Sequence, residues 1–118
     1  MFLSLRGELD MHAAPTLRKA ISEGLSDPTA DTVAADMSAV TFVDSTGYGV
    51  FISAMQSLRF RGAGRVHLAA CQAPVLRMLG VTRLDRVFMM HNSLDDLRES
   101  LNLTAAAPQQ ESQTSGDK

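Results

Sequence analysis

One join near the middle of the chain restricts the fold more than anything else. An apolar run, Ala39-Val40-Thr41-Phe42-Val43, ends at Asp44-Ser45-Thr46-Gly47-Tyr48-Gly49. An amphipathic segment from Val50 to Phe60 leads out of it. The run has the branched and aromatic residues of a strand, and the exit has helical spacing, with Phe51, Ala54, Met55 and Leu58 on one stripe. Ser45 is the expected N-cap, because Ser, Thr and Asp accept bonds from the first free N–H groups of a helix. Those groups and the aligned peptide dipoles make a helix start a natural anion site. A hydroxyl there can carry a phosphate. Gly47 and Gly49 keep side-chain bulk away, leaving room for another backbone or a nucleotide to approach.

The rest of the chain repeats this alternation. Phe2-Leu3-Ser4-Leu5-Arg6 has the period of a half-covered strand, ended by Gly7 and Asp10. Pro15 suits a first helical turn, and Leu17, Ala20, Ile21, Gly24 and Leu25 form a stripe stopped by Ser26-Asp27-Pro28. Thr32 to Met37 reads as a strand covered on both faces. Gly62-Ala63-Gly64 breaks the middle helix, and Arg65 to Ala70 is the next strand. A short helix over Ala73 to Leu79, closed by Gly80 at C′, precedes a last strand at Val87 to Met90. Ser93-Leu94-Asp95-Asp96 is a capping box with Asp for Glu, opening a helix with Leu94, Leu97 and Leu101 inward. Strands alternating with helices predict an open α/β domain with a mostly parallel sheet. About four strands and four helices are expected over residues 1–107. Residues 108–118 contain no large apolar side chain, so a disordered tail is expected there.

Composition narrows function mainly by exclusion. The 118 residues suffice for one domain with a modest core. A net charge of −2 gives no basis for nucleic-acid binding. Arg59, Arg61 and Arg65 cluster, but around glycines, as at a helix C-terminus. Cys71 is the only cysteine, so no internal disulfide forms, and its expected role is a small buried residue at a strand end. Of the seven methionines, Met55, Met78 and Met89 read as core filler. No apolar run approaches the ~18 residues of a membrane span, and the first residues show no basic region followed by a long apolar core, so no signal peptide is expected and a cytoplasmic location is the default expectation.

The central block resembles the Asp-Ser-(Ser/Thr)-Gly-x-Gly signature of STAS domains, specifically the bacterial anti-sigma factor antagonists. Gly7-Glu8-Leu9-Asp10 followed by Ala14-Pro15, and Asp36-Met37-Ser38 ahead of the central run, agree with it. The resemblance covers roughly residues 3 to 101. It implies the STAS fold and phosphorylation of the serine directly after the aspartate, here Ser45. Family members usually carry one more strand before the one ending in Gly-Glu-Leu-Asp. That first strand is expected to be absent here, the alternatives being a naturally short domain, a misassigned start, or a partner that covers the edge left exposed.

On this reading Asp44 is a second acid at the helix start, stabilised by the dipole, or it positions the Ser45 hydroxyl or Mg²⁺ during phosphoryl transfer. Asp10 and Asp44 lie near the carboxyl edge of the sheet, where α/β folds place their sites. Asp10 is then a turn former or a partner contact. Thr46 is a second hydroxyl, and Tyr48, where the family most often has Leu, is expected as an exposed contact residue. Asp10, Asp44, Ser45, Thr46, Gly47, Tyr48 and Gly49 are the expected partner-binding set. No two of His12, His67 and His91 stand at i, i+4, so no zinc site is expected. A Ser-His-Asp hydrolase lacks the Gly-x-Ser-x-Gly elbow, and no Walker pattern makes the chain a kinase.

The resemblance therefore implies a non-enzymatic antagonist without a cofactor of its own. Its unphosphorylated form binds an anti-sigma factor serine kinase, which supplies its own ATP, and a sigma factor is released. Phosphorylation of Ser45 ends the contact, and a phosphatase resets it. The alternative is a STAS scaffold without phosphorylation, such as an accessory of a transporter or a sensory assembly.

Overall fold

The computed structural model describes residues 1–62 and 64–106. The tail expected at 108–118 lies outside them. The elements in chain order are β1 (Phe2–Leu9), α1 (Ala14–Gly24), β2 (Thr32–Val43), α2 (Ser45–Phe60), β3 (Arg65–Ala69), α3 (Ala73–Thr82), β4 (Met89–His91) and α4 (Leu94–Ala106). A single 3-10 turn, Leu84–Arg86, links α3 to β4. The four strands form one sheet in the order β1-β2-β3-β4, and every neighbouring pair is parallel. Each crossover steps one strand in the same direction. With the right-handed crossovers that parallel strands almost always use, α1, α2 and α3 are expected on one face. Their side chains do share one core with Val33, Ala35, Met37, Val66 and Leu68. On the opposite face Leu97 of α4 packs on Ala34 and Ala69.

Side-chain alternation explains this two-sided burial. Val33, Ala35 and Met37 point to the α1–α3 face, and Ala34 points to the α4 face, so all four are buried. β1 has helices on one face only. Its Leu3 and Leu5 pack on the core, whereas Phe2, Ser4, Arg6 and Glu8 are exposed. Among the described residues nothing pairs with the outer edge of β1.

Several elements differ from the expectations. The two apolar stretches at Thr32 to Met37 and Ala39 to Val43 are one strand, β2. Register shifts between Ser4 and Arg6, and between Gly7 and Glu8, let its longer chain track β1. Gly7, at φ 77°, lies inside β1 and takes up the second of these shifts. α3 does not stop at Gly80. It continues to Thr82, where Arg83 takes the left-handed conformation at φ 62° and donates its N–H to the carbonyl of Gly80. The last strand starts later, at Met89. Val87 and Phe88 fold back on the 3-10 turn, and Phe88 meets Phe51 edge-on, with ring centroids 6.2 Å apart at 71°. Met78 and Met89 are exposed rather than core filler, while Met55 packs against the core. Only half of the expected capping box forms: Ser93 Oγ accepts the N–H of Asp96 at 3.0 Å.

Arg61 ends α2 as its C-cap. Its guanidinium donates to the carbonyls of Leu25, Asp27 and Ala30. Of the arginine cluster, Arg61 thus fastens the α1–β2 loop.

Candidate functional site

The site is built where β1 and β2 deliver the chain, side by side, to the carboxyl edge of the sheet. Leu9 and Val43 are register partners, so the next residues, Asp10 and Asp44, emerge together. The N–H of Asp44 bonds the carbonyl of Leu9 at 3.2 Å. Asp10 folds the chain over locally: its Oδ1 accepts the N–H groups of His12 at 3.0 Å and Ala13 at 3.1 Å. Its carbonyl accepts from Ala14 at 2.9 Å, which starts α1.

Asp44, not Ser45, is the N-cap of α2. Its backbone is extended at φ −93° and ψ −177°, and Oδ1 accepts the N–H of Gly47 at 2.9 Å. A carboxylate is the stronger acceptor for a helix start and takes the outermost position. Its other oxygen, Oδ2, accepts the N–H of Met11 at 3.1 Å. One side chain therefore closes the start of α2 and ties it to the loop after β1. Ser45 becomes the first helical residue, exposed, with Thr46 exposed beside it. Their N–H groups belong to the first turn, where no helical carbonyl can reach them.

The helix thus begins one residue earlier than a Ser45 cap implies, and the two glycines have different work. Gly47 is buried. A Cβ there would lie 2.4 Å from the carbonyl oxygen of Leu9 and 2.8 Å from Val43 Cγ1. The backbone it admits is that of its own β1, not a partner's. Gly49 is half-buried, and a Cβ there meets nothing within 4 Å, so its outer side is open as expected.

Tyr48 is not the exposed contact residue expected. It is 5% exposed and packs in the core, and its hydroxyl is buried with no hydrogen-bond partner. Helical rotation accounts for this: Tyr48 lies one turn before Phe51 and Ile52 and points with them toward the sheet. Burial pushes the Tyr48 phenol up, with a smaller contribution from Cys71. Burial likewise pushes the half-buried Cys71 thiol up to about 11, so it is a poor nucleophile at neutral pH. The exposed surface of the site is thus Ser45 and Thr46, flanked by half-buried Asp10, Asp44 and Gly49. Gly47 and Tyr48 lie beneath it.

Among the described residues no histidine hydrogen-bonds Ser45. His67 and His91 instead meet each other, His67 Nδ1 standing 2.9 Å from His91 Nε2 with the rings nearly parallel. Sequence spacing carried no sign of this pair, because the two residues come from different strands. Among the described residues no group of three or more His, Cys, Asp and Glu converges as metal ligands. No helix among them is long and apolar enough to cross a membrane.

The comparisons with known proteins agree with this architecture. The STAS domain family model matches residues 1–97. The chain is 31% identical over 91 residues to an anti-sigma-B factor antagonist of Listeria monocytogenes, covering 73% of this chain and 74% of that one. It is similar to the crystal structure of an anti-sigma factor antagonist from Mycobacterium paratuberculosis, with TM-score 0.71 and 28% identity over 85% of this chain and 84% of that one. The Bacillus cell fate determinant SpoIIAA, solved in its phosphorylated form, shares the fold at TM-score 0.63 and 23% identity, over 83% of this chain and 88% of that one. The parallel four-stranded sheet, the capped α2 and these likenesses converge: the chain belongs to the STAS-domain family, among its bacterial anti-sigma factor antagonists.

Proposed function

We propose that this chain antagonises an anti-sigma factor by partner switching. Unphosphorylated, it binds an anti-sigma factor that is also a serine kinase, and a sigma factor is released. The kinase, with ATP bound to itself, phosphorylates Ser45 and the contact is lost. A phosphatase restores it. The chain acts by binding, in the cytoplasm, and not by catalysis.

The observation that carries this reading is the placement of Ser45. Its hydroxyl stands exposed at the first helical position, directly after the capping carboxylate of Asp44. A phosphate there adds about −1.5 to −2 charges at neutral pH. The helix start stabilises it by roughly 0.3–1 kcal/mol at an exposed site, and Asp44 next to it repels it. The two effects oppose each other, so the fold survives the modification. A partner docked over the same end meets new charge and bulk that are expensive to desolvate. On this reading Asp10, Asp44, Thr46 and Gly49 surround the contact, while Gly47 and Tyr48 hold the platform from below.

Incubation with ATP and a candidate anti-sigma kinase, followed by mass mapping, tests the proposal. One phosphate at Ser45 is expected, and none in Ser45→Ala. Ser45→Asp and the phosphorylated chain should keep the circular dichroism spectrum of the parent and bind the kinase weakly. Equal affinity of the phosphorylated and unphosphorylated chains would favour the scaffold reading instead.

A further inference from the structure

A groove runs between α1 and α2, from the helix start that carries Ser45 and Thr46 toward the C-terminal end of α2. It has two openings, of about 430 and 400 Å³, joined where both are lined by Arg18 and Ser22. The first opens beside Thr46, and the second continues toward Ser57 and Arg61. Buried Ile21 and Ala54 line the second opening, and exposed Ser22, Ser53 and Ser57 stand on its walls.

Its charge is the unusual property. The chain has 13 acidic residues against 11 basic ones, yet no Asp or Glu lines either opening. Arg18, Lys19 and Arg61 do. Arg61 is spent on three backbone carbonyls. Arg18 and Lys19 are exposed, and neither has a hydrogen-bond or ion-pair partner among the described residues. A cationic strip with hydroxyl walls on a chain of net negative charge is a local reversal of sign. Such a reversal steers and selects an anionic partner.

The shape narrows the kind of anion. Most of the length, at Arg18 to Ser22 and Val50 to Ser57, is walled by helix interiors whose N–H groups are consumed by the helical ladder; only the end at Ala14, Pro15 and Thr46 borders first helical turns, so the greater part of the groove has no backbone cradle for a phosphate. No aromatic side chain lines the openings to stack a base. Two linked openings along parallel walls fit an extended chain, whose carboxylates meet Arg18 and Lys19 and whose backbone meets the serine hydroxyls. We propose that the α1–α2 groove is a docking channel for an extended, glutamate- or aspartate-rich segment of a protein partner, with Arg18 and Lys19 reading its charge. Binding here needs no phosphate on Ser45, although the Thr46 end of the groove borders that residue.

The test is an amide NMR titration of the full chain with a synthetic glutamate-rich peptide. The matching glutamine peptide, ATP and inorganic phosphate serve as comparisons. The acidic peptide should shift the amides of Ser22, Ser53 and Ser57, and the shifts should shrink as salt is raised. The glutamine peptide should leave them in place. Arg18→Gln and Lys19→Gln should each weaken peptide binding by up to about fivefold, the upper range for an exposed ion pair. Arg77→Gln, an exposed change on α3, should leave it unchanged. Both groove positions are exposed, so the variants should fold as the parent does, which the same spectra report. Absence of shifts with the acidic peptide at millimolar concentration would overturn the proposal. So would stronger shifts of the same amides with ATP or phosphate, or equal binding by the glutamine peptide. Ser45→Ala should bind the peptide like the parent, which separates this channel from the switch.

Discussion

The carboxylate of Asp44 holds the N–H of Met11 at 3.1 Å, across 33 positions of chain, while its other oxygen caps α2 at Gly47. The start of the signature helix and the loop after β1 therefore move as one piece. Asp44→Ala removes both bonds. Loss of an N-cap costs about 0.5–2 kcal/mol, and the orphaned Met11 N–H adds to it. The expected result is a lower urea midpoint, with a loss of about 1–2 kcal/mol. Asp44→Asn keeps an acceptor oxygen for Gly47 and should lose less. A midpoint unchanged in Asp44→Ala would show that the cap is not formed in solution.

The two glycines of the signature should respond in opposite directions. Gly47→Ala drives a methyl to within 2.4 Å of the Leu9 carbonyl, which belongs to backbone and cannot swing aside. Lifting α2 off the end of β1 should cost about 1–3 kcal/mol, as overpacking does. Gly49→Ala meets nothing within 4 Å, and alanine is the better helix former, so a gain of about 0.5–1 kcal/mol is expected. Thermal unfolding of the pair decides it: equal shifts in the two variants would contradict this packing.

Tyr48 buries a hydroxyl without a partner. Removing an unpaired polar group leaves packing intact and relieves desolvation, so Tyr48→Phe should be neutral or stabilising by up to about 1 kcal/mol. Since the ring is covered by its own domain, affinity for a partner should not change. A clear destabilisation would reveal a bond to a bound water, and a loss of affinity with unchanged stability would return Tyr48 to the contact surface.

The proton inventory of the β3–β4 edge should set an acid limit. Burial, then His91 and Arg65, hold the His67 imidazole below its ordinary value of 6.5. Above pH 6.5 both the folded and unfolded chains carry it neutral, and it costs nothing. As pH falls below 6.5 the unfolded chain binds the proton first, so the unfolded state gains and stability declines. The decline levels off below the folded value. Urea midpoints measured from pH 8 down to pH 5 should show this slope, reduced in His67→Asn. An identical slope in the variant would assign the loss to other groups.

Much of this protein was legible along its sequence, because hydrophobic period is a local property. The Leu17 and Ile21 stripe, the Phe51, Ala54 and Leu58 stripe, and the doubly covered Val33-Ala34-Ala35 run all lie where their spacing puts them. The order of strands and helices then leaves few topologies for a parallel sheet, and the Asp44-Ser45 block marks its carboxyl edge. Sequence alone did not decide contacts between segments far apart in the chain. Asp44 rather than Ser45 became the cap because its extended backbone lets one carboxylate serve both Gly47 and the distant Met11. Gly47 is required by the carbonyl of Leu9, which only strand pairing brings beneath it. Tyr48 is covered because α2 starts at Ser45, which turns that residue toward the sheet. His67 and His91 meet because β3 and β4 are neighbours. Local periodicity determines which face of an element is apolar, whereas register and helix start determine which individual atoms meet, and these emerge only when the elements pack together.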